Sequence, residues 1–271
     1  MKKTHYILFF LLIAQIIFAQ SKNETGYIDT FIDDTKIFFV DGASFFTYPF
    51  RMNNNQLITA AGISAGIYIM IRNDDKLQAA FSLENGERLD NNFWTFFENY
   101  GVVQYAEIAS IATYSVGFFA KNDDVRVLGR MMFQAITYSG LSTMLIRMIT
   151  GRHRPTYTDN HLDFIWFTTE DNYHSFPSGH TTVAFAFSTV LAEYFDTPLS
   201  RIVFYGMAGF SAAERIINND HWFSDVTLGA LLGIAGGLHV INEESDRKGK
   251  IDSRFSVQPT LNGLSFRYRL D

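Results

Sequence analysis

Residues Ser175-Phe176-Pro177-Ser178-Gly179-His180-Thr181-Thr182 run directly into an apolar stretch that reaches Phe195. Pro, Ser and Gly ahead of such a stretch mark a helix N-terminus, where free backbone N–H groups and the helix dipole make an anion site. His180 then stands in the first turn, beside any bound anion. Taken alone, Ser178 is equally a plain N-cap and His180 a surface residue, so the flanking sequence has to decide.

Outward from this stretch the pattern is helical. Leu57 to Ile71, Tyr105 to Ala120, Val127 to Ile149, Thr181 to Phe195, Ile202 to Ile217 and Val226 to Ile241 are apolar segments of helix length, separated by polar or Gly-containing breaks. They predict an all-α bundle of about six helices. Their uncharged runs are mostly about 12 to 17 residues, short of the roughly 20 that span a bilayer, and a buried bundle gives the same runs. Lipid and aqueous settings both stay open, with a bundle apposed to a membrane between them.

The ends read differently. Residues 1–19 have the form of a secretory signal, with Lys2 and Lys3 before an apolar run and Ala19 before polar Gln20, and a retained anchor is the alternative. Residues 20–56 are an aromatic-rich segment in which Asp33-Asp34 and Asp41-Gly42 are turn signals, leaving strand and helix open. A helical domain is expected over 57–242, followed by a charged linker over 243–253. Residues 254–271 are expected to form a short β-hairpin. Asn262-Gly263 suits a two-residue turn, and it pairs Leu261, Pro259, Val257 and Phe255 with Leu264, Phe266, Tyr268 and Leu270.

Composition narrows the function. The 271 residues contain no cysteine, which excludes disulfides and thiolate metal sites, and the net charge of -6 argues against a nucleic-acid partner. Basic residues nonetheless crowd at Arg147, Arg152 and Arg154. If that stretch is helical, Arg147 and Arg154 are two turns apart and share a face, so two guanidinium forks converge on one anion. A basic helix end facing the dipole or anionic lipid is the plain alternative. Further on, His221 and Asp225 are spaced one helical turn apart, which lets the carboxylate fix one imidazole nitrogen and free the other to attack.

Jointly these pieces carry a resemblance. Arg147 with Arg154-Pro155, then Pro177-Ser178-Gly179-His180, then Arg215 with His221 and Asp225 resemble the three-part signature of the type 2 phosphatidic acid phosphatase superfamily. Bacterial acid phosphatases and vanadium haloperoxidases share that signature. Trp222, Ser224, Gly229 and Gly233 extend the likeness along the next helix. The resemblance implies that His221 is a nucleophile that becomes phosphorylated, oriented by Asp225. His180 protonates the leaving oxygen and then activates water. Arg147, Arg154, Arg215, Ser178 and Gly179 hold the phosphoryl oxygens, with no metal and no other cofactor.

Two departures stand out: the first motif begins with Arg147 where the family has Lys, and Glu214 precedes Arg215 where the family has Ser. Glu214 is expected to face away from the site. His153 and the acidic pair Asp74-Asp75 are expected at the surface, His161 and His174 on a connection rimming the site, and His239 in packing. The implied substrate is a phosphorylated lipid or small phosphoester, met in the periplasm or at an envelope membrane. The rivals are a vanadium-dependent haloperoxidase and a non-catalytic protein that binds lipid phosphate.

Overall fold

The computed structural model describes residues 25–83, 88–89 and 91–248, and the backbone of 255–260 and 263–268. The expected signal over 1–19 lies outside the described residues. Among the described residues nine α-helices follow in order: α1 Thr25–Thr47, α2 Asn54–Ile71, α3 Asp74–Phe81, α4 Asn92–Tyr100, α5 Val103–Phe119, α6 Asp123–Thr150, α7 Gly179–Phe195, α8 Pro198–Ile217 and α9 Phe223–Lys248. All six expected segments are helices, namely α2 and α5 to α9. The other three escaped for separate reasons. With 8 and 9 residues, α3 and α4 are too short for periodicity to register. In α1 the Asp41-Gly42 turn signal is overridden, because Asp41 is buried and accepts from Gln134 Nε2 at 3.0 Å and Arg247 Nη2 at 2.6 Å.

The chain divides into two compact units, residues 1–40 and 41–271, and the site lies within the second. There α7 is the central element, packed against α9, α8 and α6, while α5 lies along α6. The α7 and α9 contact is set by glycine: a Cβ on Gly229 would come 2.6 Å from the Ser178 carbonyl oxygen, and one on Gly233 2.5 Å from that of Thr182. With no side chain there, the start of α9 closes on the N-terminal end of α7. Ser178 N then donates to the Asp225 carbonyl at 2.9 Å, which joins two of the motifs through backbone.

Two expectations about the C-terminal region are corrected. The stretch from Glu243 is no linker, since α9 continues to Lys248. Glu244 is buried there and meets Arg130 Nη2 at 2.5 Å and Arg247 Nη1 at 2.7 Å. Partners from α6 and α9 thus bury one charge, Glu244, within a run that reads locally as solvated. Farther on, the backbone pairs Phe255–Thr260 antiparallel with Gly263–Tyr268, setting Pro259 opposite Leu264 where Phe266 was expected. The side chains of this pair lie outside the described residues, and the domain itself is all-helical.

Helix α9 alone among the described residues is long and apolar enough to cross a membrane, over Phe223–Arg247, and 50% of its most apolar window is buried within the protein. Outward-facing apolar side chains are nevertheless abundant on α2 and α5: Ile58, Tyr68, Ile69, Ile108 and Val116 are each more than 60% exposed.

Candidate active site

Helix α6 stops at Thr150 because Gly151 takes a left-handed φ of +37°, where a Cβ would sit 2.0 Å from the Ile165 carbonyl oxygen. Arg147 and Arg154 therefore do not share a helical face as the spacing suggested: Arg147 is in the last turn and Arg154 in the loop beyond. They reach the same place by another route, since both line a cavity of ≈ 990 Å³ together with Gly179, His180 and His174. Arg147 Nε donates to the Pro177 carbonyl at 2.9 Å, tying it to the second motif. Burial, then Arg154, lowers its pKa to about 10, which still leaves it charged near neutral pH. The buried Nε of Arg154 has no hydrogen-bond partner among the described residues, an unmet donor in a residue that lines the cavity.

Ser178 is indeed the N-cap of α7: its Oγ accepts from Thr181 N at 3.5 Å and from Thr181 Oγ1 at 3.0 Å. Capping does not exclude an anion-binding role, because a hydroxyl that accepts for the helix keeps its own proton to donate. In the next turn-forming position but one, His180 sits among cations. Burial first, then Arg215, His221, Arg147 and Arg154, push its pKa down to about 3.

His221 is 1% exposed and precedes α9, with Asp225 in that helix's first turn. Their nearness comes from a cap and not from helical spacing. Asp225 Oδ2 reaches back to accept from Trp222 N at 2.9 Å and takes a bond from Ser175 Oγ at 2.5 Å. It lies 3.6 Å from His221 Nδ1, just outside hydrogen-bond range, a gap of the kind that closes when substrate binds. Burial, opposed by Asp225, pushes the His221 pKa down to about 4, so the ring is neutral near pH 7. Burial alone would raise the Asp225 carboxyl, but Arg152, His221 and Ser175 hold it below the ordinary carboxylate range.

Arg215 is arranged otherwise than expected. Its Nε is bound by Glu214, its Nη2 is 3.1 Å from Glu98 Oε1, and its Nη1 is 3.3 Å from Asp220 Oδ2. Glu214 does not face away: it is fully buried and also accepts from Asn218 Nδ2 at 2.5 Å. Neighbouring long side chains at the end of α8 curl into one pocket because Asn218 supplies a second donor for the carboxylate. Arg215 acts on His180 through its charge while three carboxylates hold it.

Residues 128–247 match the family model of the PAP2 superfamily. They form a PAP2 superfamily domain. A lipid A 1-phosphatase of Rhizobium etli is 32% identical over 108 residues, 39% of this chain and 46% of that protein. One of Porphyromonas gingivalis is 46% identical over 66 residues, 24% of this chain and 15% of that protein. The chain thus spans less than half the length of either relative. Among solved structures, the crystal structure of Aquifex aeolicus LpxE aligns with a TM-score of 0.41 at 24% identity, over 55% of this chain and 84% of that one.

Every motif residue quoted from the sequence falls inside the PAP2 domain, yet one neighbour of the site does not. Asp74, expected as a solvated loop charge, is fully buried at the start of α3 and meets Arg152 Nη2 at 2.8 Å. Arg152 is itself fully buried and donates to Asp225 Oδ1 at 2.6 Å and Ser224 Oγ at 2.8 Å. No local signal marks Asp74, since its burial is created by the packing of α3 on α8 and α9. Ser175 was missed likewise, being read only as a residue ahead of a helix.

The remaining histidines divide. His153 is not a surface residue: its ring stacks on Tyr173 at 3.6 Å between centroids, its Nδ1 is 2.7 Å from Asp163 Oδ2, and its carbonyl accepts from Trp222 Nε1 at 2.9 Å. His174 lines the cavity, and the His161 carbonyl accepts from Arg152 Nη2 at 2.6 Å. His239 packs against Phe45 and Tyr138.

Arg154 provides a test of the cavity. Its replacement by alanine is expected to lower kcat/KM for a phosphomonoester by at least ~10²-fold, the loss typical of one preorganised donor. A value within threefold of the unchanged protein would show that the guanidinium does not touch the phosphoryl group.

Proposed function

We propose that the protein is a phosphatase that hydrolyses phosphate monoesters or pyrophosphates of envelope lipids through a phosphohistidine on His221. The observation that carries this reading is the meeting of His180, Arg147 and Arg154 at one cavity, with neutral His221 and its carboxylate Asp225 beside it. In the first step the free ring nitrogen of His221 attacks phosphorus as the bond to the leaving oxygen breaks, and His180 supplies that oxygen with a proton. In the second, water attacks the phosphohistidine and His180 takes the water's proton, restoring both rings. Arg147, Arg154, the Ser178 hydroxyl and the Gly179 N–H hold the equatorial oxygens, and Arg215 adds positive charge from behind its carboxylates.

A lipid substrate is favoured by the rest of the cavity wall. Beyond the arginines it is lined by Val102, Ile136, Leu141, Met144 and Val183, an apolar surface suited to the chain of an amphiphile. The matched relatives bear the name lipid A 1-phosphatase. Together with the outward-facing apolar side chains of α2 and α5, this supports a membrane-associated enzyme of the cell envelope, exported by the N-terminal signal. The C-terminal hairpin belongs to the same proposal, as an appendage beyond the PAP2 domain. Fractionation tests the setting: the protein is expected to sediment with membranes and to be released by detergent, and its recovery with the soluble periplasmic contents would reject association.

Because two arginines provide the charge that a metal otherwise would, turnover of p-nitrophenyl phosphate is expected to be unchanged in excess EDTA. Activity that disappears with the chelator and returns with a divalent ion would refute this mechanism.

A further inference from the structure

Asp225 is contested. Its Oδ1 accepts from Arg152 Nη1 at 2.6 Å, its Oδ2 from Ser175 Oγ at 2.5 Å and Trp222 N at 2.9 Å, and the His221 ring waits at 3.6 Å. A bare guanidinium at that distance, with Asp225 as its one counter-charge, would hold the carboxylate and weaken its pull on the imidazole. Arg152 is not bare. Asp74 Oδ2 accepts from its other terminal nitrogen at 2.8 Å, and Asp74 is fixed in turn by Ser224 N at 3.0 Å and by Ser224 Oγ. Arg152, Asp74, Ser224 and Asp225 are all fully buried, where charges act on one another with little screening. A buried ion pair stabilises a fold no better than well-packed apolar side chains of similar volume, so the consequence of this one lies in what it touches.

We propose that Asp74 is a positioning residue for the nucleophile: it neutralises Arg152, and so leaves the Asp225 carboxylate free to orient His221. The proposal rests on the phosphohistidine reading above. It draws a residue of α3, upstream of the PAP2 domain, into the reaction without any contact with substrate. Asp74 also pins Ser224, the residue just before Asp225, so the backbone that presents the carboxylate and the charge that competes for it are governed from one side chain.

The test compares full-length Asp74→Asn with the unchanged protein on p-nitrophenyl phosphate. The near-isosteric amide leaves Arg152 with Asp225 as its one carboxylate. The expected result is a kcat lower by ~10- to 100-fold, the range seen when a group supporting a reactive residue is lost. KM should stay within threefold, because Arg147, Arg154 and Ser178 are untouched. The acid limb of kcat/KM should also move to lower pH. His221 faces Asp225, Arg147, Arg154, His180 and Asp220 in both proteins, and the variant removes one further negative charge, which makes the ring harder to protonate. Asp74→Glu, which keeps the charge, should recover most of the lost kcat. The double variant Asp74→Asn with Arg152→Gln, which removes both charges, should exceed Asp74→Asn alone. Should Asp74→Asn fail to fold, as judged by its melting transition, the charge-balanced double variant and Ser224→Ala carry the same comparison.

An unchanged kcat and acid limb in Asp74→Asn, in a protein that still forms an acid-labile phosphoprotein, would overturn the positioning role while leaving the phosphohistidine intact. Absence of a phosphoprotein from the unchanged protein would instead overturn the reading beneath it. A double variant no more active than the product of the two single losses would likewise reject the coupling.

Discussion

Replacement of His221 by alanine is expected to abolish turnover and, with it, every trace of acid-labile phosphoprotein in a rapid-quench experiment. The physical reason is that neither the arginines, nor Ser178, nor His180 can take its place as nucleophile. The arginines are cations, Ser178 caps a helix, and His180 is pushed towards a pKa of about 3. His221 combines the required properties: it is buried, its pKa of about 4 keeps it neutral, and a carboxylate stands on one side of its ring. Phosphate held at the cavity with unaltered affinity but never transferred is the signature to look for. Residual turnover within tenfold of the unchanged protein would mean that water attacks directly and that no covalent intermediate exists.

His180→Ala should lose turnover by ~10² to 10⁴-fold, the usual span of general acid–base assistance. It should fail differently. With p-nitrophenyl phosphate the leaving oxygen needs little help, so His221 still becomes phosphorylated and the phosphoprotein accumulates for want of a base to activate water. The sign of the pH effect also follows. Burial and four cationic or ionisable neighbours keep His180 of the free protein unprotonated above about pH 3, so the proton it must donate depends on the arriving phosphoryl group. The substrate's negative charge reverses the local field and raises the pKa. The acid requirement should therefore appear in kcat, which reports the complex, at a higher pH than in kcat/KM, which reports the free enzyme. Equal limbs in both profiles, or a His180→Ala protein that turns over normally, would remove His180 from proton transfer.

How far the sequence foretold this depends on whether a feature is local. The start of α7 was legible because Ser178 caps the helix that opens at Gly179, a signal contained in adjacent residues. The two-arginine pairing was legible in outcome and wrong in route: Arg147 and Arg154 line one cavity because Gly151 turns the chain, not because a helix continues. The pairing of His221 with Asp225 repeats that lesson, since a capping contact does the work assigned to helical spacing. Glu214 shows the opposite case. Nothing in its neighbours announces that Asn218 and Arg215 will draw it inward. Asp74, Asp41 and Glu244 were unreadable for one shared reason: each charge is buried by a partner more than 70 positions away or on another helix, and residue type alone gives the solvated reading.

The position of Asp74 bears on how much of this chain the proposed site needs. A fragment cut to residues 128–247 would carry every motif residue quoted from the sequence and look complete on inspection, but the cut would strip away α3 and leave the Arg152 guanidinium with Asp225, the carboxylate beside His221, as its one counter-charge. Chimeras and minimal versions should accordingly be drawn from upstream of residue 74, because the working unit is larger than the stretch by which its kinship is detected.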